Sequence, residues 1–157
     1  MGEIVQIWIK RFKRGPMDPV GEAQLVEGGG LTGSANQGGR RQVTIIDEAA
    51  WKDATIELGF DVDPSARRAN VMLRGVDLRE SRGRLLELGN CIVRIIGETR
   101  PCDQMDDAQP GLRNALGTAW RGGAYGEIVR GGRIRLGDEA RFVVAAEFNR
   151  DGAGHGL

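Results

Sequence analysis

A chain of 157 residues, 40% apolar and 28% charged, is long enough to bury one core without disulfide staples. Its 22 bases balance its 22 acids, so the formal charge is zero; general attraction to nucleic acid or to an anionic membrane is excluded, and any anion must be met by a local cluster. The only histidine, His155, falls in the tail at 151–157, which leaves a single domain at 1–150 without the imidazole that a His-rich zinc site, a Ser-His-Asp triad or a Cys-His pair needs. Chemistry in such a domain has to be borrowed from a cofactor. Two cysteines, no secretion signal and no apolar run of spanning length set the expected location as the reducing cytoplasm.

Residues 3–10 alternate, with Val5, Ile7 and Ile9 on one face and Gln6 and Lys10 on the other, and read as a strand. A Gly/Pro loop over 11–21 and a short strand at 22–27 lead into Gly28-Gly29-Gly30. The polar glycine-rich segment 31–41 ends in Arg40 and Arg41. Its glycines let backbone N–H groups approach an anion that the arginines neutralise, and it equally suits a plain surface loop. A β-branched strand at 42–46 precedes Asp47, the N-cap expected for a helix over 48–58 that Gly59 stops; Ala50, Trp51, Ala54, Ile56 and Leu58 form its inner stripe.

After a turn at 61–65, residues 67–74 alternate again, which sets Arg68 and Asn70 together on the face opposite Ala69, Val71 and Leu73. That face looks at water or into a polar site. Strands at 84–88 and 91–97 joined at Gly89-Asn90 make a hairpin, with Cys91 on the core face. A short helix at 110–116 precedes a second glycine-rich stretch, 121–126, that carries Arg121 and Gly123. Strands at 127–130 and 133–136 flank Gly131-Gly132, a two-residue hairpin signal, and a last strand covers 139–148. Seven or more short strands, glycine turns and few helices favour a mostly antiparallel β-barrel over a parallel α/β sheet.

Thr99-Arg100-Pro101-Cys102-Asp103-Gln104-Met105 is the stretch richest in chemical possibility. Pro101 stops the preceding strand, while Asp103, Asp106 and Asp107 suit the first turn of a short helix, so Cys102 is expected at a strand-to-helix corner. There Arg100 and the helix start pull the thiol toward the nucleophilic, metal-binding thiolate and the aspartates push back. A small apolar filler is the other reading of this cysteine.

Taken in order, Gly30-Leu31-Thr32-Gly33, residues 40–46, Arg68-Ala69-Asn70, Gly75-Val76-Asp77-Leu78, Leu88-Gly89, Pro101-Cys102 and the run from Gly123 through Gly131-Gly132-Arg133-Ile134 to Gly137-Asp138 resemble the MOSC domain, named for the C-terminal domain of molybdenum cofactor sulfurases. Ser34 stands where many relatives carry Asp. The resemblance implies a closed β-barrel similar to the barrel domain of pyruvate kinase. It also implies a molybdenum cofactor (molybdopterin) whose metal is ligated by Cys102 in relatives that reduce N-hydroxylated compounds. The pterin phosphate and dithiolene contacts map onto Arg40, Arg41, Arg68 and Asn70, with Arg100 and Gly123 beside them. No iron–sulfur cysteine pattern and no dinucleotide loop is present, so electrons would come from a partner protein. Two alternatives stand: a sulfur carrier that takes a persulfide on Cys102 from a PLP-dependent cysteine desulfurase, and a non-catalytic cofactor-binding module.

Overall fold

The computed structural model describes residues 2–100 and 103–144, and among these the fold is mostly strand. The strands are β1 (Gly2–Lys10), β2 (Met17–Pro19), β3 (Glu22–Leu25), β4 (Val43–Asp47), β5 (Val71–Arg74), β6 (Leu85–Leu88), β7 (Cys91–Glu98), β8 (Ala124–Arg130), β9 (Gly132–Arg135) and β10 (Glu139–Val143). Helices α1 (Glu48–Leu58), α2 (Asp103–Ala108) and α3 (Leu112–Leu116) and a 3₁₀ turn at Pro64–Arg67 lie outside the sheet.

Seven strands close a barrel in the order β1-β5-β4-β8-β7-β6-β10, sealed where Gly2 and Glu3 meet Ala140 and Glu139. Every pairing in the ring is antiparallel except β4 with β5, because α1 and the 3₁₀ turn carry the chain back across and start β5 beside the start of β4. The far end of β1 pairs with β2 instead of β10, and β3 with β9 forms a separate ribbon. Inside the ring, Ile4, Ile7, Val43, Ile45, Val71, Leu73, Leu86, Leu88, Val93 and Ile95 pack as one aliphatic cluster. Each such side chain contributes about 1.5–3 kcal/mol on leaving water, and Cys91 lies among them as expected. Among the described residues no helix is long and apolar enough to cross a membrane.

Helix α1 forms as its sequence predicts. The Asp47 carboxylate accepts from the Ala49 N–H at 3.2 Å, and Gly59, at φ 82°, donates to the Thr55 and Ile56 carbonyls. Trp51 and Ala54 bury against Met105, Leu112 and Leu116, whereas Ile56 is 77% exposed and does not belong to the inner stripe.

Other elements differ from the pattern-based expectation for identifiable reasons. A bulge between Ile4 and Gln6 resets the phase of β1, so Ile4, Ile7 and Ile9 face inward while Val5 packs outside with Trp8. Residues 67–74 are not one strand: Arg67 ends the 3₁₀ turn, Arg68 takes the left-handed conformation at φ 64°, and β5 begins at Val71. Gly131-Gly132 does not make a hairpin. Strand β9 leaves β8 to pair with β3, and a Cβ on Gly131 would sit 2.5 Å from the Leu25 carbonyl, a crossing that only glycine permits. The last strand is described to Val143; the rest of the segment expected at 139–148 lies largely outside the described residues.

Candidate functional site

A polar cavity that gathers several of the residues singled out by sequence lies against the outer wall of the barrel, not in its interior. Val43, Ile45, Ile7 and Ile9 point inward, so Thr44 and Lys10, one residue out of phase, point outward. Asn70, just before β5, shares that outer face with Met72. Met17 of β2, Gln104 and Met105 of α2, and Ser34, Asn36 and Arg41 of the glycine-rich loop complete a cavity of about 170 Å³.

Five cationic side chains line it (Lys10, Arg41, Arg67, Arg68 and Arg100), and among the described residues no carboxylate does. Burial and then the positive charges of Arg68, Arg41 and Lys13 hold the Lys10 ammonium below the usual lysine range. Ser34 adds no charge. Its hydroxyl accepts from the Lys10 N–H at 3.3 Å and so ties the loop to the end of β1. A second cavity shares Met17, Arg68 and Gln104 with the first and extends it past Arg14, Ser65 and Asp107, making a two-lobed groove.

The cations are held in different ways. Arg67 is 6% exposed and donates to the carbonyls of Gly122 (2.7 Å) and Thr99 (3.2 Å), which clamps the 3₁₀ turn to the loop before β8 and to the end of β7. Arg68 donates to the Gly15 carbonyl at 2.6 Å, and Arg41 lies over the Tyr125 ring at 4.9 Å, a cation–π contact on the outer face of β8. Asn70 joins β4 to β5: its Oδ1 accepts from the Thr44 N–H at 3.0 Å and hydroxyl at 3.2 Å. Its backbone N–H donates to the Thr44 carbonyl at 2.9 Å and hydroxyl at 3.1 Å, while its side-chain Nδ2 makes no hydrogen bond among the described residues. The Thr99 hydroxyl is buried without a partner, although it lines the cavity. A buried hydroxyl orphaned in this way marks where a polar ligand would be received.

Of the residues singled out by sequence, Arg41, Arg68, Asn70 and Arg100 come together in this cavity. Arg40 is exposed and outside its lining. Gly123 is adjacent but beneath the surface: at φ 96°, a Cβ there would lie 2.1 Å from the Ile45 carbonyl, and its own carbonyl accepts from the Thr99 N–H at 2.9 Å. Cys102, with Pro101, lies outside the described residues; Arg100 before it and Gln104 after it both line the cavity. Sequence reasoning passed over Lys10, Ser34, Arg67 and Thr99. Lys10 carried a signal in its place on the outer face of β1, Ser34 in its place after Gly30-Leu31-Thr32-Gly33 and Thr99 in its place at the head of the Cys102 stretch; Arg67 carried none. Among the described residues no three His, Cys, Asp or Glu side chains converge on a metal-sized space.

The closed barrel therefore carries on its outer wall a strongly cationic cavity, joined to a second lobe that adds Arg14 and Asp107. A sequence profile of the MOSC domain matches residues 32–141, well over half of the chain, and the chain belongs to that family, which is associated with the molybdenum cofactor. No curated protein matches it. Among solved structures it is similar to the YuaD protein of Bacillus subtilis, with 20% identity, 90% of this chain and 96% of that one covered, and a TM-score of 0.78. It is also similar to YiiM of Geobacillus stearothermophilus (16% identity, 92% and 76% covered, TM-score 0.72) and to YiiM of Escherichia coli (15%, 90% and 70%, TM-score 0.65). At these identities the likeness concerns the fold alone.

Proposed function

We propose that the chain binds the molybdenum cofactor in the two-lobed groove, with Cys102 as the protein ligand to the metal, and supports reduction of N-hydroxylated substrates. The observation that carries this reading is the convergence of five cations and, among the described residues, no acid on a cavity whose rim, at Arg100 and Gln104, flanks Cys102 in sequence. Lys10, Arg41 and Arg68 are the donors suited to the terminal phosphate. Arg41 and Arg68 offer planar forks, and Tyr125 and Gly15 hold them in place. The Thr99 hydroxyl, buried without a partner, and the Asn70 side-chain NH2, which lines the same cavity, are the groups suited to the polar edges of the pterin.

A thiolate is the soft ligand such a metal centre takes, and Cys102 is the cysteine available, since Cys91 is sealed in the barrel with its thiol pushed up to about 11 by burial. The bound group would supply the two-electron redox chemistry; the chain holds it, excludes bulk water and keeps the surrounding field positive. Conversion of N–OH to N–H consumes two electrons and two protons and releases water, so an electron-transfer partner must deliver two electrons per turnover.

Reduction of a hydroxylamine-type substrate by the cofactor-loaded protein, with a reduced dye as electron source, is expected for the wild type and absent for Cys102→Ala. Equal rates for the two proteins would refute the role of Cys102. A sulfur adduct found on Cys102 by mass spectrometry after incubation with a cysteine desulfurase, in protein that never loads metal, would turn the reading to sulfur transfer.

A further inference from the structure

The chain contains three lysines, Lys10, Lys13 and Lys52, and only one of them is built into the cavity. Lys52 sits on exposed α1 with Glu48 at 3.8 Å, and Lys13 belongs to the exposed loop after β1. Lys10 is the last residue of β1. Its backbone is fixed by pairing with Met17 and by the Ser34 hydroxyl, so its side chain leaves a rigid strand end into the groove.

Among the described residues, the charged groups that line its cavity are of one sign. Arg41 approaches from the glycine-rich loop, Arg68 from the 3₁₀ turn, Lys13 from its own loop, and Arg67 and Arg100 share the cavity wall. The nearest acid on the neighbouring strand, Asp18 of β2, is committed to Arg11 at 2.9 Å. Among the described residues the Lys10 ammonium has neither a carboxylate nor a hydrogen-bond acceptor.

A primary amine held this way has two properties at once. Its neighbours concentrate anions beside it, because four guanidinium groups face the same small volume. The same neighbours disfavour its charged form, so more of it is the free base, which is the nucleophile. An anion that also carries an electrophilic carbon therefore meets an amine ready to attack.

We propose that Lys10 is a carbonyl-capturing residue: phosphorylated aldehydes bind in the groove through their phosphate and condense with the Lys10 amine. The amine nitrogen forms a bond to the carbonyl carbon, the carbonyl oxygen leaves as water, and an imine remains, with no change of oxidation state. The phosphate sits on Arg41 and Arg68 and the aldehyde end reaches Lys10. Such a compound competes with any other anion for the groove, so capture acts as a block on it. The chemistry needs neither metal nor Cys102 and is independent of the cofactor reading.

The test uses the purified, metal-free full chain with pyridoxal 5′-phosphate as probe, borohydride to trap the imine, and peptide mapping in which Lys13 and Lys52 serve as internal references. Lys10 is expected to be labelled several-fold faster than Lys52, because the groove gathers the probe's phosphate beside it and its ammonium is held below the usual lysine range. Inorganic phosphate should suppress labelling of Lys10 and leave that of Lys52 unchanged. Arg41→Gln should slow labelling at Lys10 alone and move its pH midpoint upward, a readout that mere loss of packing does not produce. Equal rates at Lys10 and Lys52, indifference to phosphate, or an unchanged Lys10 rate in Arg41→Gln would each overturn the proposal.

Discussion

Asn70 separates holding the barrel wall together from receiving a ligand, and two substitutions pull these roles apart. Its Oδ1 accepts from both the Thr44 N–H and the Thr44 hydroxyl at a position only 9% exposed. In Asn70→Ala the hydroxyl can turn elsewhere but the backbone N–H cannot, which costs roughly 2–3 kcal/mol once the lost bonds and the stranded donor are counted. For a domain of this size that lowers Tm by roughly 5–10 °C. Asn70→Asp keeps the acceptor oxygen, so its stability should stay within about 1 kcal/mol of the wild type. It also places an anion among Lys10, Arg41, Arg67, Arg68 and Arg100. At an effective dielectric near ~20 and about 5 Å, a charge there opposes a bound phosphate by about 3 kcal/mol, a weakening on the order of a hundredfold. Urea unfolding followed by tryptophan fluorescence gives the first quantity, and calorimetric titration with inorganic phosphate gives the second. An Ala variant as stable as the wild type, or an Asp variant that binds phosphate unchanged, would refute the reasoning.

Further expectations follow from the same geometry. Gly123→Ala forces a Cβ to 2.1 Å from the Ile45 carbonyl at a left-handed φ, so the variant should lose more than about 3 kcal/mol or fail to accumulate as folded protein, read by soluble yield and thermal melting. With its thiol pushed up to about 11, Cys91 is ionised in about one molecule in a thousand at pH 8; iodoacetamide should label it in urea but hardly at all in the native protein, as peptide mapping would report. Glu48 is held below its ordinary 4.5 chiefly by its hydrogen bond from Arg74, so that pair stabilises the fold above the unfolded carboxyl's pKa and ceases to do so as pH falls through the lower folded value. The stability gap between wild type and Arg74→Met should therefore hold near neutral pH and close in acid; a gap unchanged across that window contradicts the linkage.

Local signals were legible where one chain segment decides its own structure. Asp47 and Gly59 bracket α1 because cap chemistry acts within a few residues, and Gly89-Asn90 turns β6 into β7 for the same reason. What the sequence could not disclose depends on partners far along the chain. The bulge in β1 is visible only against β5, and the departure of β9 only against β3. Arg68 reaches the cavity from a left-handed residue ending a 3₁₀ turn, not from a strand face, so its grouping with Asn70 emerged from a period that does not exist there. Lys10, Ser34 and Thr99 enter the same cavity from β1, the glycine-rich loop and the end of β7, a convergence that no local pattern encodes.

The molybdenum-to-protein ratio of the native chain, purified from a host that makes the cofactor and read by elemental analysis, tests the central claim most directly. Near one metal per chain is expected for the wild type, with loss of metal in Cys102→Ala and in the double variant Arg41→Glu, Arg68→Glu. Metal-free wild-type protein, or variants that retain the full complement, would contradict it.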